Sequence, residues 1–147
     1  MQARKRSGTR SAASSTSRLP EPPVFFLDES LDSDFIASAL RAAGARVERL
    51  TGHFPKGTPD EVWLTRAGAE QWVVLTRDKR IRYRQLEKLS LKNAGVRAFV
   101  FTGGNVTLQD TAAILTAALA RIYAVLASER GPCIYHIGRA GKPLRMA

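Results

Sequence analysis

A chain of 147 residues, 44% of them hydrophobic, is long enough for one domain with its own core and needs no disulfide or structural zinc to fold. A single cysteine, Cys133, excludes an intrachain disulfide framework. No zinc-ligand spacing occurs either, so the composition fits a reducing compartment such as the cytoplasm. The formal net charge of +10 points to a polyanionic partner. Part of that excess is local, because residues 1–23 hold five basic residues against Glu21 alone, and the remainder carries +6.

Residues 1–22 are rich in Ser, Arg and Ala without apolar periodicity and read as a disordered basic arm. From Val24 the pattern alternates. VFFLD is a short buried strand, followed by a helix carried by Phe35, Ile36, Ala39, Leu40 and Ala43 and stopped at Gly44. ARVERL is a second strand and TGHFPKG a loop. Thr58-Pro59-Asp60-Glu61 has the form of a helix start, with Thr58 as N-cap, Pro59 at the first helical position and Glu61 closing a capping box.

QWVVLT is the third strand. A basic loop follows it, then a helix around Leu86 and Leu89 that ends at Asn93-Ala94-Gly95. VRAFVF is a fourth strand. Thr107 and Asp110 open a long helix to about Ser128, Gly131-Pro132 ends it, and CIYHI is a fifth strand. The most apolar part of the long helix, AAILTAALARIYAVLA, is interrupted by Arg121 and falls short of the roughly 20 residues of a membrane span, so a core helix and no membrane partner are expected. Leu108, Leu115, Leu119, Ile122 and Leu126 recur on one face, and Ile114 and Tyr123 add apolar surface that suits packing or a homodimer.

Strands alternating with helices predict an α/β domain, a central parallel sheet of about five strands with helices on both faces. Such sheets bind ligands beyond the carboxyl ends of their strands. Three acidic clusters fall there. Asp28 and Glu29 end the first strand, Asp60 and Glu61 open the helix after the second, and Asp78 follows the third. Converging carboxylates need a cation, either a metal or a basic residue, and several together can hold Mg²⁺ or Mn²⁺ through hard oxygen ligands.

Each acid also has a plainer reading. Asp28 could cap the next helix, the capping box accounts for Glu61, and Asp60 serves the helix dipole. Thr76, two residues before Asp78, offers a hydroxyl that could orient a carboxylate or water. The run Arg77, Lys79, Arg80, Arg82 and Arg84 is either a solvated loop or a set of phosphate contacts beside the acids. Tyr83, His136, Trp63 and Trp72 read as packing residues.

Leu27-Asp28-Glu29, Gly57-Thr58-Pro59-Asp60-Glu61 with Trp63, and Leu75-Thr76-Arg77-Asp78-Lys79-Arg80-Ile81 occur in the order that resembles the PIN-like domain superfamily, in its VapC-type toxin branch. The resemblance covers about Val24 to Ile137 and implies a three-layer PIN-like domain over residues 23–147. It further implies a Mg²⁺- or Mn²⁺-dependent endoribonuclease, often the toxin of a toxin–antitoxin pair, with an RNA substrate and a cognate antitoxin protein as partners. Asp28, Asp60 and Asp78 then take the metal-binding and catalytic places, with Glu29 or Glu61 as further candidates. Arg77, Lys79, Arg80, Arg82 and Arg84 would hold RNA, and Thr76 would orient the acids. In two respects the chain departs from the family's pattern: the second acid opens a helix instead of lying inside one, and Lys79-Arg80 stand where a further acid is expected. Two other readings stay open, a non-catalytic PIN-like module that binds RNA or protein, and a receiver-like phosphoacceptor with Thr102 and Lys142-Pro143 as its later residues.

Overall fold

The computed structural model describes residues 22–146, with backbone only for Arg82 and Tyr83. The expected basic arm therefore lies outside the described residues apart from Pro22. Among these residues the strands are β1 (Val24–Leu27), β2 (Arg46–Arg49), β3 (Val73–Thr76), β4 (Arg97–Phe101), β5 (Cys133–Ile137) and β6 (Pro143–Arg145). They form one six-stranded sheet in the order β2-β1-β3-β4-β5-β6. The first five are parallel, and β6 runs antiparallel along β5. That last strand was not legible in the sequence. It is three residues long, begins with a proline, and is defined by its pairing with β5.

The helices are α1 (Asp34–Ala42), α2 (Leu50–His53), α3 (Asp60–Glu70), α4 (Lys79–Tyr83), α5 (Gln85–Asn93) and α6 (Leu108–Ser128). Alternation along the strands sorts the core into two halves. Phe25, Leu27, Val73, Leu75, Phe99 and Phe101 face α1 and α6. Phe26, Val74, Ala98, Val100 and Ile134 face α3, α4 and α5, where Trp63, Leu64, Ala67, Ile81 and Leu91 meet them. The result is a three-layer α/β domain.

Local chemistry explains most boundaries. Ser33 caps α1 by accepting from the Ile36 amide, and Gly44, at φ +97°, turns the chain out of that helix. Gly68 lets α3 lie against the end of α5, because a Cβ there would stand 2.0 Å from the Ala94 carbonyl oxygen.

The expected start of α3 is corrected by one residue. Pro59 occupies the N-cap position, and the Thr58 hydroxyl turns back to donate to the Pro55 carbonyl at 2.6 Å. No capping box forms. The loop TGHFPKG is partly helical, since α2 includes Thr51, Gly52 and His53, and the expected basic loop folds as α4. In α5 the apolar residues that marked the helix, Leu86 and Leu89, point outward, and Leu91 provides the buried anchor.

By length and composition α6 could cross a membrane. Its Leu115, Ala118, Leu119, Ile122 and Leu126 are nevertheless buried in the core shared with α1, with Ile114 and Tyr123 packed alongside, and Leu108 stands exposed.

Candidate functional site

In this sheet α1 carries the chain from β1 to one side, to β2, and the later strands add on the other. The crevice beyond the carboxyl ends of β1 and β3 is therefore the topological switch point where such sheets bind ligands. Asp28 stands at one lip of it. Its amide donates to the Leu75 carbonyl at 3.3 Å, which continues the β1–β3 ladder one residue past β1. Its carboxylate is buried and accepts from the Ser30 amide at 3.0 Å, the Ser30 hydroxyl at 2.5 Å and the Thr76 hydroxyl at 2.5 Å. Burial raises the Asp28 pKa to about 6, against these hydrogen bonds, and the charge of Asp78 adds slightly to the rise. Asp28 does not cap α1, a role Ser33 takes.

Thr76 is wholly buried and joins the two lips. Its hydroxyl donates to Asp28 and accepts from the Asp78 amide at 3.1 Å. Asp78 is the N-cap of α4, where its side chain accepts from the Arg80 amide at 2.9 Å. Partial burial pushes its pKa upward, but the Arg80 hydrogen bonds and charge outweigh that and hold it below the usual carboxylate range. Asp60 opens α3, and its Oδ1 accepts from the Trp63 indole at 3.1 Å, so a residue of the core orients it.

Asp28, Asp60 and Asp78 line one cleft of about 450 Å³ together with Glu29, Ser30, Trp63 and Arg80. Glu29 is tied to the Gly57 amide at 3.1 Å. Glu61 is exposed and does not line the cleft, so of that pair Asp60 faces the other acids. An acid missed in the sequence joins them. Glu87 of α5 brings a carboxylate oxygen to Asp60 and Asp78, the three lying within 4.8 Å of one another. Its signal was present nine positions after Asp78, hidden by the basic run and by the expectation that a further acid would follow directly.

Arg80 occupies the middle of this cluster. It donates to both oxygens of Asp78, at 2.6 Å from Nη2 and at 3.0 and 3.1 Å from Nε, and to Asp60 at 3.1 Å, with Glu87 3.9 Å away. Arg77 and Lys79 turn away from it. Arg77 donates to the Gly104 carbonyl at 2.9 Å and lies over the Phe101 ring. Arg77 and Lys79 line a second cleft of about 810 Å³ with Thr102, Asn105 and Thr107, beyond the ends of β3 and β4. Arg84 is exposed just past α4, and the Arg82 side chain lies outside the described residues.

Asp32, close to Asp28 in sequence, belongs to the scaffold, bonded to Arg49 at 2.6 Å and the Thr51 amide at 2.9 Å. His53 meets Glu48 at 2.6 Å and packs on Trp72, near the opposite ends of the strands.

The donor set fits a hard divalent cation: carboxylate oxygens on three helices, a fourth buried carboxylate beside them, and no soft ligand in the cleft. A receiver-like site fits poorly, because the buried residue ending β3 is a threonine and β6 stands where a receiver closes with a helix.

Comparison with known proteins bears on the family. No solved structure matches the chain. A curated relative from Mycobacterium tuberculosis (strain ATCC 25618 / H37Rv), named "Putative ribonuclease VapC45", is 28% identical over 116 residues, covering 76% of this chain and 83% of its own length. The family model described as a PIN like domain matches residues 23–103, the stretch that holds Asp28, Asp60, Asp78 and Glu87. The chain therefore belongs to the PIN-like domain family.

Proposed function

We propose that this protein is a metal-dependent endoribonuclease, the toxin of a toxin–antitoxin pair, acting through a PIN-like domain over residues 23–147. The observation that carries the reading is the convergence of Asp28, Asp60, Asp78 and Glu87 on one crevice at the switch point of a cationic domain. Asp60, Asp78 and Glu87 would hold Mg²⁺ or Mn²⁺, with Asp28 at the inner wall. When bound, the ion supplies a water of lowered pKa and stabilises charge on the phosphate. The similarity to a relative named as a VapC ribonuclease supports RNA as substrate and an antitoxin protein as partner.

The chain's own residues divide the remaining work. Thr76 and Ser30 hold the Asp28 carboxylate, and Trp63 holds Asp60, so the acids meet a cation in fixed positions. Arg77 and Lys79, with Asn105 and Thr107, line the adjoining cleft, which has room for a nucleotide flanking the cut bond. Their charges would place the strand while the acids, a few residues away, act on its phosphate.

The direct experiment incubates the purified protein and its Asp78→Asn variant with single-stranded and structured RNAs in Mg²⁺ or Mn²⁺. The wild type cuts, EDTA stops it, and the folded variant cuts far more slowly. A wild type that binds RNA yet cuts none of the panel in either metal overturns the reading in favour of a non-catalytic RNA-binding module. One observation speaks for that alternative, the Arg80 guanidinium seated among the acids.

A further inference from the structure

We infer that Arg80 is an internal counter-cation that the incoming metal displaces, and that the released guanidinium then takes an RNA phosphate, so that metal loading and RNA binding are coupled through one side chain. This rests on the ribonuclease reading and deepens it.

Among the residues of the basic run whose side chains are described, Arg80 alone lines the acids' cleft. It engages both oxygens of Asp78 and one of Asp60, which are two of the three carboxylates whose oxygens converge within 4.8 Å. A divalent ion on those oxygens and a guanidinium on the same oxygens exclude each other.

The balance of charge favours the ion. Asp28, Glu29, Asp60, Asp78 and Glu87 all border the crevice, and one guanidinium leaves them under-compensated, whereas a divalent ion brings twice the charge at shorter range. The Arg80 side chain is 47% exposed, so it reaches solvent directly; its bridge to Asp60, 43% exposed, contributes little to folding, and its bridge to Asp78, 18% exposed, is the contact that the ion must replace. Its backbone stays fixed in the first turn of α4, so the side chain swings from a fixed anchor at the mouth of the cleft. A planar fork that pairs with carboxylate pairs equally well with phosphate.

The test titrates Mn²⁺ into the full-length protein without RNA, comparing wild type with Arg80→Gln, Arg80→Lys and Arg84→Gln, each verified as folded by circular dichroism. Arg84→Gln is the electrostatic control. Its charge reaches Asp78, but among the described residues its side chain makes no hydrogen bond to the cluster. Arg80→Gln should bind Mn²⁺ about tenfold tighter, Arg84→Gln should stay within about twofold, and Arg80→Lys should fall between. Equal or weaker binding by Arg80→Gln, in a protein that otherwise binds Mn²⁺ and cuts RNA, overturns the displacement and leaves the ribonuclease reading intact. If none of the four proteins binds Mn²⁺, both fall.

RNA supplies the second arm. In EDTA, Arg80→Gln should bind a fluorescent single-stranded RNA as wild type does, and in Mn²⁺ its KM should rise several-fold. An equal loss of RNA affinity with and without metal would make Arg80 an ordinary phosphate contact and end the proposal.

Discussion

The two faces of the sheet are covered in different ways. On one side a 21-residue helix, α6, and a nine-residue helix, α1, bury a continuous apolar cluster. On the other side four helices, of 4, 11, 5 and 9 residues and so all much shorter than α6, cover a second cluster rich in aromatic rings. Asp60, Asp78, Glu87 and Arg80 all come from this second layer. The difference has a physical basis. A long helix presents one apolar face over many turns and leaves few free ends, whereas several short helices expose many termini at one rim. Capping aspartates and first-turn acids belong at such termini, and there they can be turned toward a ligand. Packing and chemistry are thereby assigned to opposite layers, and each can be perturbed separately.

The largest contrast should come from one substitution in each layer. Asp78→Asn should reduce RNA cleavage by on the order of 10²–10³-fold, as loss of one preorganised electrostatic group does, and move the thermal midpoint little. Ile122→Ala, in the buried face of α6, should destabilise the protein by about 2–5 kcal/mol while cleavage per folded molecule stays unchanged. Urea denaturation with single-turnover assays measures both. Loss of activity per folded molecule in Ile122→Ala would show that the layers are not separate.

An intermediate effect is expected at Asp28, where the site works against the fold. Its pKa is raised from 3.8 to about 6, so in the metal-free protein this carboxyl contributes full stability below about pH 4. That contribution is lost as the pH rises through about 6, a difference of about 3 kcal/mol. Asp28→Asn removes the titration. In EDTA at pH 7 the variant should be more stable than wild type by up to about that amount, and the gap should close toward pH 4. Denaturation curves across this range decide it, and a variant less stable than wild type at pH 7 would show that the buried charge carries no such cost. Cleavage by the variant should fall regardless.

The smallest effect belongs to the second cleft. Lys79→Ala should weaken RNA binding a few-fold without altering the cleavage rate at saturation, and should flatten the dependence of log affinity on log salt by about 0.7, the contribution of one phosphate contact on a single strand. An unchanged slope would move the RNA path away from this cleft.

Much of the architecture was readable because it follows short-range rules. Five strands, four of the helices and the acids at strand ends and helix starts come from apolar runs, periodicity and turn residues, as VFFLD before α1 and WVVLTRD before α4 illustrate. The elements that escaped lack such signals. β6 exists through its pairing with β5, and α4 is five residues with four cationic or aromatic side chains around Ile81 and no period to detect. Thr58 matched a capping box that the turn at Pro55 replaced with a closer acceptor.

The sequence by itself determined that the chain is an α/β domain whose carboxylates gather beyond the ends of parallel strands, because strand alternation and crossover geometry leave few other arrangements. The tertiary structure alone decided which acids share the crevice, bringing in Glu87 and leaving out Glu61, and it alone turned Arg80 inward while Arg77 and Lys79 went to the neighbouring cleft. The physical reason lies in reach. A side chain's partner is set by distances of a few ångströms between segments remote in sequence, and the field of several carboxylates captures the nearest flexible cation.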